Sequence, residues 1–440
     1  MADQQQHFPG TLSSLTGVLE VDSPLPEALR VPIHRVGTPF VLTLALAQAA
    51  VWISLVPIIS ILLPLQIQGL DAAHKATWLG VVNGVGALVG LLANPLAGAF
   101  SDRTTSRFGR RRPWILAGAL LTPVCLLLLM SATTIPVLIV GALGLQASLN
   151  LTFSALTAIL PDQVPVEQRG LASAITGMAA PIASVVGAVL IGSVIQNMTL
   201  RYLVTAGIVL LILVPYALLV PDKPLPRAYM PPFHLRTFLT SFWISPRKHP
   251  DFGWVWLARC TANLGYYSVS GYLLYYLQDA VHYTSLFPKQ SVTQGVAALT
   301  VISTVAILVS AFLAGWLSDR FQRRKPFVAA ASTLIALGLF AFAFFPAWIG
   351  VIIAEVILSL GFGSYLAADQ VLATQVLPSE RDRAKDMGVI NIANILPQTL
   401  GSVLAVPILF WTHSYAVLFA LTGLIALAGS FVVMQVKSVR

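Results

Sequence analysis

Residues Gly98 to Trp114 read GAFSDRTTSRFGRRRPW and set one aspartate and five arginines between two long apolar stretches. The run GWLSDRFQRRKPF, from Gly315 to Phe327, repeats the pattern, with Asp319 lying 217 positions after Asp102. In a chain of 440 residues that spacing is close to half the length. Both copies punctuate a chain that is 57% hydrophobic and only 10% charged, whereas a soluble domain carries about 25% charged residues. The apolar runs reach the roughly 20 residues that a helix needs to cross a bilayer core. The composition therefore points to a polytopic membrane protein of the all-α class.

The formal charge of +9 does not form a nucleic-acid patch, because the basic residues come in short clusters between apolar runs. Spans are expected at about 38–63, 76–100, 113–131, 135–160, 171–195 and 202–220, then 252–278, 291–317, 326–345, 347–368, 388–411 and 414–435. With both termini cytoplasmic, 22 of the 26 Lys and Arg fall inside. Lys75, Arg201 and Lys289 then lie outside and Arg259 lies within a span. That bias is what the positive-inside rule demands. The expected divisions are a cytoplasmic tail 1–36 without a signal-peptide core, a six-helix bundle 37–220, a cytoplasmic loop 221–250, a second bundle 251–436 and a tail 437–440.

The halves echo each other elsewhere. Pro165 and Glu167 after span 4 answer to Pro378 and Glu380 after span 10. Gly170, Pro181 and Gly187 of span 5 answer to Gly388, Pro397 and Gly401 of span 11. A parallel repeat of two six-helix bundles explains why the charged motif recurs. The arginines keep a short loop cytoplasmic, but an acid gains nothing from that rule. Asp102 at the end of span 2 is placed to pair with Arg103 or Arg111. Such contacts at the junction of the bundles, with Asp319 and Arg320 in the second copy, are expected to act as a gate.

The pattern Gly98-x3-Asp102-Arg103…Gly109-Arg110-Arg111 resembles the loop 2–3 signature of the major facilitator superfamily. SDRTTSRFGRRRP is similar to the same loop of plant sucrose–proton symporters, their animal and bacterial relatives and the wider glycoside–cation symporter group. The resemblance implies the major facilitator fold, with twelve helices in two bundles and a midplane cavity lined mainly by spans 1, 4, 7 and 10. It also implies a sugar as solute and a proton as coupling ion. The resemblance would place a histidine near the sugar site, for which His74 is the one candidate; its spacing to Trp78 differs from the family's, and it reads better as an exposed loop histidine without a special role. The acids that couple transport in the family's N-terminal bundle have no counterpart within spans 1 to 6.

On those spans, polar residues that lipid would not tolerate mark the candidate site. Span 1 gives Gln48 and Trp52, and span 4 gives the stripe Gln146, Asn150, Ser154 and Thr157. Span 7 sets Arg259, Asn263, Tyr266, Tyr267 and Ser270 on one helical face. Tyrosine rings with amide and hydroxyl neighbours suit a sugar, whose C–H faces stack on rings while its hydroxyls take hydrogen bonds. Asn391, Asn394 and Gln398 form a further stripe on span 11, lining the cavity or bonding between helices.

Glu355 reads as the one acid deep in a span, and an intramembrane carboxylate is by default functional. Helix rise leaves about 8 Å of height between it and Arg259. Three roles follow: a proton carrier with Arg259 as ligand or modulator, a static ion pair, or an Arg259 that snorkels to the interface.

The expected function is secondary transport of a small polar solute, most specifically a sugar or glucoside with protons, by a monomer in the cell (inner) membrane. A multidrug antiporter and an uncoupled facilitator are the alternatives. No metal-spaced cluster, phosphate loop or nucleophile motif supports an enzyme or a cofactor. Nucleic-acid partners are not expected.

Overall fold

The computed structural model describes residues 26–29, 32–230, 247, 249–321, 324–375 and 383–437, and the side chains of Asp319 and Asn391 lie outside the described set. Pro378 and Glu380 also lie outside the described residues. The chain is all-α. The first half contains α1 (Thr38–Leu70), α2 (Lys75–Ser101), α3 (Arg112–Met130), α4 (Ile135–Gln163), α5 (Val166–Val194) and α6 (Met198–Leu219). The second contains α7 (Pro250–Asp279), α8 (Val292–Phe321), α9 (Lys325–Phe344), α10 (Trp348–Gln375), α11 (Arg383–Thr412) and α12 (Tyr415–Val433).

Among the described residues, eleven helices are long and apolar enough to cross a membrane. α7 is the exception by composition, although it is 30 residues long. Arg259, Asn263 and five tyrosines lower its apolarity, and most of its surface is covered by protein. A span that faces protein on nearly all sides has no need of an apolar perimeter.

Prolines fix several helix starts, where a missing N–H costs nothing: Pro39 opens α1, Pro113 opens α3 and Pro326 opens α9. Pro57 lies within α1 and is followed by a π-helical turn, Ile58–Leu62. α5 carries the matching irregularity at Ala188–Val194. The two irregular segments pack together. A Cβ on Gly187 would lie 2.5 Å from the Pro57 ring, and one on Gly192 would lie 2.7 Å from Ile61. Glycine is what permits these approaches.

Close contacts between the halves gather at the end that carries Lys75. Lys75 Nζ pairs with Asp279 Oδ1 at 2.7 Å and sits over the Tyr275 ring. Tyr415 donates to the other Asp279 oxygen at 2.9 Å, and Tyr275 donates to the Pro64 carbonyl at 2.8 Å. Gly80 of α2 fits against Val406, Ser402 and Tyr272. The fold is thus shut at the Lys75 end.

Candidate solute-binding site

Two lobes of a cavity lie between the halves and meet at Trp52 and Tyr267, which line both. The first, of about 320 Å³, is rich in carboxamides: Asn94, Gln146, Asn150, Asn394 and Gln398. Asn94 donates to Asn150 Oδ1 at 3.3 Å, and Asn150 donates to the Gln146 carbonyl at 2.9 Å. Gly90 makes room for that ladder, since a Cβ there would come within 3.1 Å of Asn150 Nδ2. Trp52 is braced edge-on by Phe153 at 5.5 Å.

The second lobe, of about 290 Å³, is walled by hydroxyls and rings. α8 supplies Thr300, Ser303 and Thr304, α1 supplies Ser60, α5 supplies Ser184, and α7 supplies Tyr266, Tyr267 and Ser270. Tyr266 lies flat on Phe362 with centroids 3.7 Å apart and planes 4° apart. Glu355 reaches this lobe from α10 and is 6% exposed. Ser359, one turn on, donates to Glu355 Oε1 at 3.4 Å and shares a 2.7 Å hydrogen bond with Ser303. Among the described residues, Glu355 Oε2 has no hydrogen-bond partner, and no Lys, Arg or His lines either lobe.

Trp52, Gln146, Asn150, Tyr266, Tyr267 and Glu355 therefore converge on one cavity. Gln48 is buried one turn from Trp52 but does not line either lobe. Asn263 is buried and donates to the Arg259 carbonyl of its own helix.

Arg259 is placed differently from expectation. It is 3% exposed, so it does not snorkel, and it pairs with Asp369 rather than Glu355. Its Nε donates to Asp369 Oδ2 at 2.6 Å, and Nη2 meets the same oxygen. The expected end of span 10 at residue 368 hid Asp369, since α10 continues to Gln375. Asp369 is 2% exposed, a second deep acid that the sequence reading missed. Arg201, expected at the outer end between spans 5 and 6, is buried in the first turn of α6. There it donates to the Ile195 and Gly192 carbonyls at the end of α5.

The charged motif forms a clamp within the first half. Arg111, 4% exposed, pairs with Asp102 at 2.6 Å and with Asp162 of α4 at 2.9 Å, and donates to Ser101 Oγ at 2.9 Å. Burial opposes its charge, but Asp162 and then Asp102 more than offset this and hold the guanidinium above its ordinary value. Gly109 adopts φ +105, and a Cβ there would fall 2.3 Å from the Asp222 carboxylate. That carboxylate accepts from the Arg111 and Arg112 backbone N–H groups at 2.5 and 2.8 Å and caps α3. The expected pairing of Asp102 with Arg111 is thus present, and both acids that meet Arg111, Asp102 and Asp162, lie on the first half of the chain. Arg103 donates to the Ala99 carbonyl of its own helix at 2.5 Å.

The second copy repeats part of this wiring. Arg324 donates to Ser318 Oγ at 2.6 Å, as Arg111 does to Ser101. Lys325 reaches the Val436 carbonyl at 2.5 Å, much as Arg112 reaches the Ala217 carbonyl at 2.6 Å. Arg320 is exposed and lies over the Trp316 ring.

His74 sits in the exposed turn between α1 and α2, bonded to Asp71 at 3.1 Å and away from the cavity. Hydrogen bonds from Trp78 and from the His74 backbone hold Asp71 below the usual carboxylate range. Among the described residues, no cluster of His, Cys, Asp and Glu is fit to hold a metal ion.

A polar cavity between two repeated helical halves, closed at one end, is the device of a secondary transporter working by alternating access. The comparisons agree. The family model for the Major Facilitator Superfamily matches residues 40–306 and 289–438. The chain belongs to the Major Facilitator Superfamily, a family of multi-pass membrane transporters and not of enzymes.

Its curated relatives include a general alpha-glucoside permease of Schizosaccharomyces pombe, 29% identical over 26% of this chain and 23% of that protein. The sucrose transport protein SUC4 of Arabidopsis thaliana is 40% identical over 18% and 14%. A probable 4-methylmuconolactone transporter of Cupriavidus pinatubonensis is 32% identical over 30% and 32%. The chain thus matches less than a third of the length of each. Among solved structures, a peptide transporter POT in complex with sulfate superposes with TM-score 0.74, at 14% identity over 93% of this chain and 96% of that one. A bacterial homologue of the human lysosomal transporter Spinster, inward-facing and unoccupied, gives 0.65 at 16% identity over 91% and 96%. At such identities the likeness concerns the fold.

Proposed function

We propose that this transporter carries a sugar or glucoside across the cell (inner) membrane, together with a proton taken up and released at Glu355. The observation that carries the reading is the lining of the cavity. Five carboxamides and a set of hydroxyls lie beside the rings of Trp52, Tyr266 and Tyr267, and among the described residues no basic side chain is there to attract an anion. Such a surface matches a neutral polyol with apolar C–H faces. The printed names of the glucoside and sucrose relatives support the same solute class.

In this reading α7 completes twelve spans, the Lys75 end faces outward, and both termini are cytoplasmic. The conformation is then inward-facing. Residues 37–220 and 251–436 are the two halves of a monomer that rock about the cavity between them. Asp102, Arg103 and Arg111, with Asp319 and Arg320 in the second copy of the motif, act as the gate at the cytoplasmic edge. Gln48, Arg259 and Asn263 support the site from behind its lining.

The test is uptake of labelled sucrose, maltose and glucose into proteoliposomes with and without an inward proton gradient. One sugar should accumulate only with the gradient. Glu355→Gln should abolish that accumulation while sparing counterflow of the same sugar. Accumulation in the variant equal to wild type would remove Glu355 from coupling, and gradient-independent equilibration in the wild type would make the protein a facilitator.

A further inference from the structure

α2 turns a row of residues one helical turn apart, Gly86, Gly90, Asn94 and Gly98, toward the polar stripe of α4. The glycines let the two helices meet closely. A Cβ on Gly86 would lie 3.4 Å from Gln146 Cγ, and one on Gly98 would lie 3.0 Å from Ser154 Oγ. Asn94 breaks the row, and it lines the first lobe together with Gln146 and Asn150.

The hydrogen bonds fix which way each carboxamide is turned. Asn150 Nδ2 donates to the Gln146 backbone carbonyl at 2.9 Å, and a carbonyl can only accept. Asn150 Oδ1 is therefore the atom that meets Asn94, which donates to it through Nδ2 at 3.3 Å. That leaves the Asn94 Oδ1 acceptor over. Gln146 Oε1 lies 3.5 Å from the same Asn150 Nδ2, which leaves the Gln146 Nε2 donor over as well. Neither atom has a hydrogen-bond partner among the described residues, and neither is fully buried.

We infer that Asn94 is a specificity-determining residue: its Oδ1 accepts from one hydroxyl of a pyranose ring in the first lobe, while Gln146 Nε2 donates to the adjacent hydroxyl. This rests on the reading of the solute as a sugar and adds which lobe holds the ring and which groups read it. An acceptor and a donor held side by side suit a vicinal diol, because each hydroxyl can both donate and accept. Trp52, braced by Phe153, offers its ring in the same lobe to the C–H face of the sugar. An analogue lacking either hydroxyl leaves one carboxamide unmet, and that loss is what discriminates. A carboxamide that only ties two membrane helices together would instead affect every solute alike when removed.

The experiment is inhibition of counterflow in proteoliposomes. Sucrose, maltose and glucose each carry a glucopyranosyl ring, so the labelled one that exchanges best is competed with methyl α-glucoside and with monodeoxy analogues lacking each ring hydroxyl in turn. In the wild type, two analogues that lack neighbouring hydroxyls should each inhibit about tenfold more weakly than the parent glucoside. Asn94→Ala should bring one of those two level with the parent, and Gln146→Met should do so for the other, while the remaining analogues keep their order.

A wild-type penalty spread evenly around the ring, or a pattern that survives both substitutions, would overturn the assignment and leave the sugar reading standing. Exchange of none of the three sugars and inhibition by none of the glucosides would sink the sugar reading and the assignment with it. Where Asn94→Ala loses counterflow altogether, Gln146→Met decides: an unchanged pattern there overturns the assignment, and loss of the neighbouring penalty upholds it.

Discussion

Removing the carboxylate of Asp369 should be the most damaging single change of charge in the membrane interior. Arg259 and Asp369 are 3% and 2% exposed, and their ion pair joins α7 to α10. Asp369→Asn keeps the shape but leaves a guanidinium without its counter-charge in a site closed to water. Breaking a buried pair in this way costs about 3–5 kcal/mol. The second half comprises about 190 residues, and an unfolding entropy near 2.1 cal/mol/K per residue makes that loss worth roughly 8–12 °C.

The assay is the thermal midpoint in detergent at one fixed scan rate, because unfolding of such proteins is governed by rate as well as equilibrium. The double variant Arg259→Met/Asp369→Leu removes both charges and should regain most of the loss, since an apolar pair of similar volume is often as stable as the ion pair it replaces. Glu355→Gln should change the midpoint by less than about 1 kcal/mol equivalent, because it removes no counter-charge. An Asp369→Asn midpoint within 2 °C or so of wild type would refute the reasoning. A large drop in Glu355→Gln instead would return Arg259 to that partner.

Two further outcomes concern the closed end. Lys75→Ala should weaken closure by about 0.5–1 kcal/mol, because the Lys75–Asp279 pair is partly exposed and screened. In a chain lacking Cys125 and Cys260, labelling of Ser402→Cys by an impermeant thiol reagent should then rise about two- to fivefold, and an unchanged rate would show that the pair does not hold the end shut. Gly80→Val should open the same end further, since even its Cβ would lie 2.3 Å from Val406 and 2.7 Å from the Tyr272 hydroxyl. Overpacking of that kind costs about 1–3 kcal/mol, and wild-type labelling at Ser402→Cys would rule out the close approach of α2 and α11.

The repeat was legible before any coordinates, and for a physical reason. A helix in lipid must be apolar for about 20 residues and must end in charge, so spans, breaks and the doubled motif all appear in the one-dimensional pattern. The stripe Gln146, Asn150 on α4 and the pair Tyr266, Tyr267 on α7 were found the same way, because polarity in an apolar helix is conspicuous. α8 offered the same signal in Thr300, Ser303 and Thr304, at helical spacing, and only the expectation of four lining helices passed it over.

What the pattern could not settle was partnership. Arg259 has one deep acid fourteen residues before the other on α10, and which of them it meets depends on how α7 crosses α10 and on where α10 ends. Asp102 likewise had several candidate cations. Arg111 became its partner because Gly109 turns the loop into a left-handed conformation and lets Asp222 fix the start of α3. Local polarity decides that a charge must be met inside the membrane, since burial without a partner is too costly. Only the packing of distant helices decides by what.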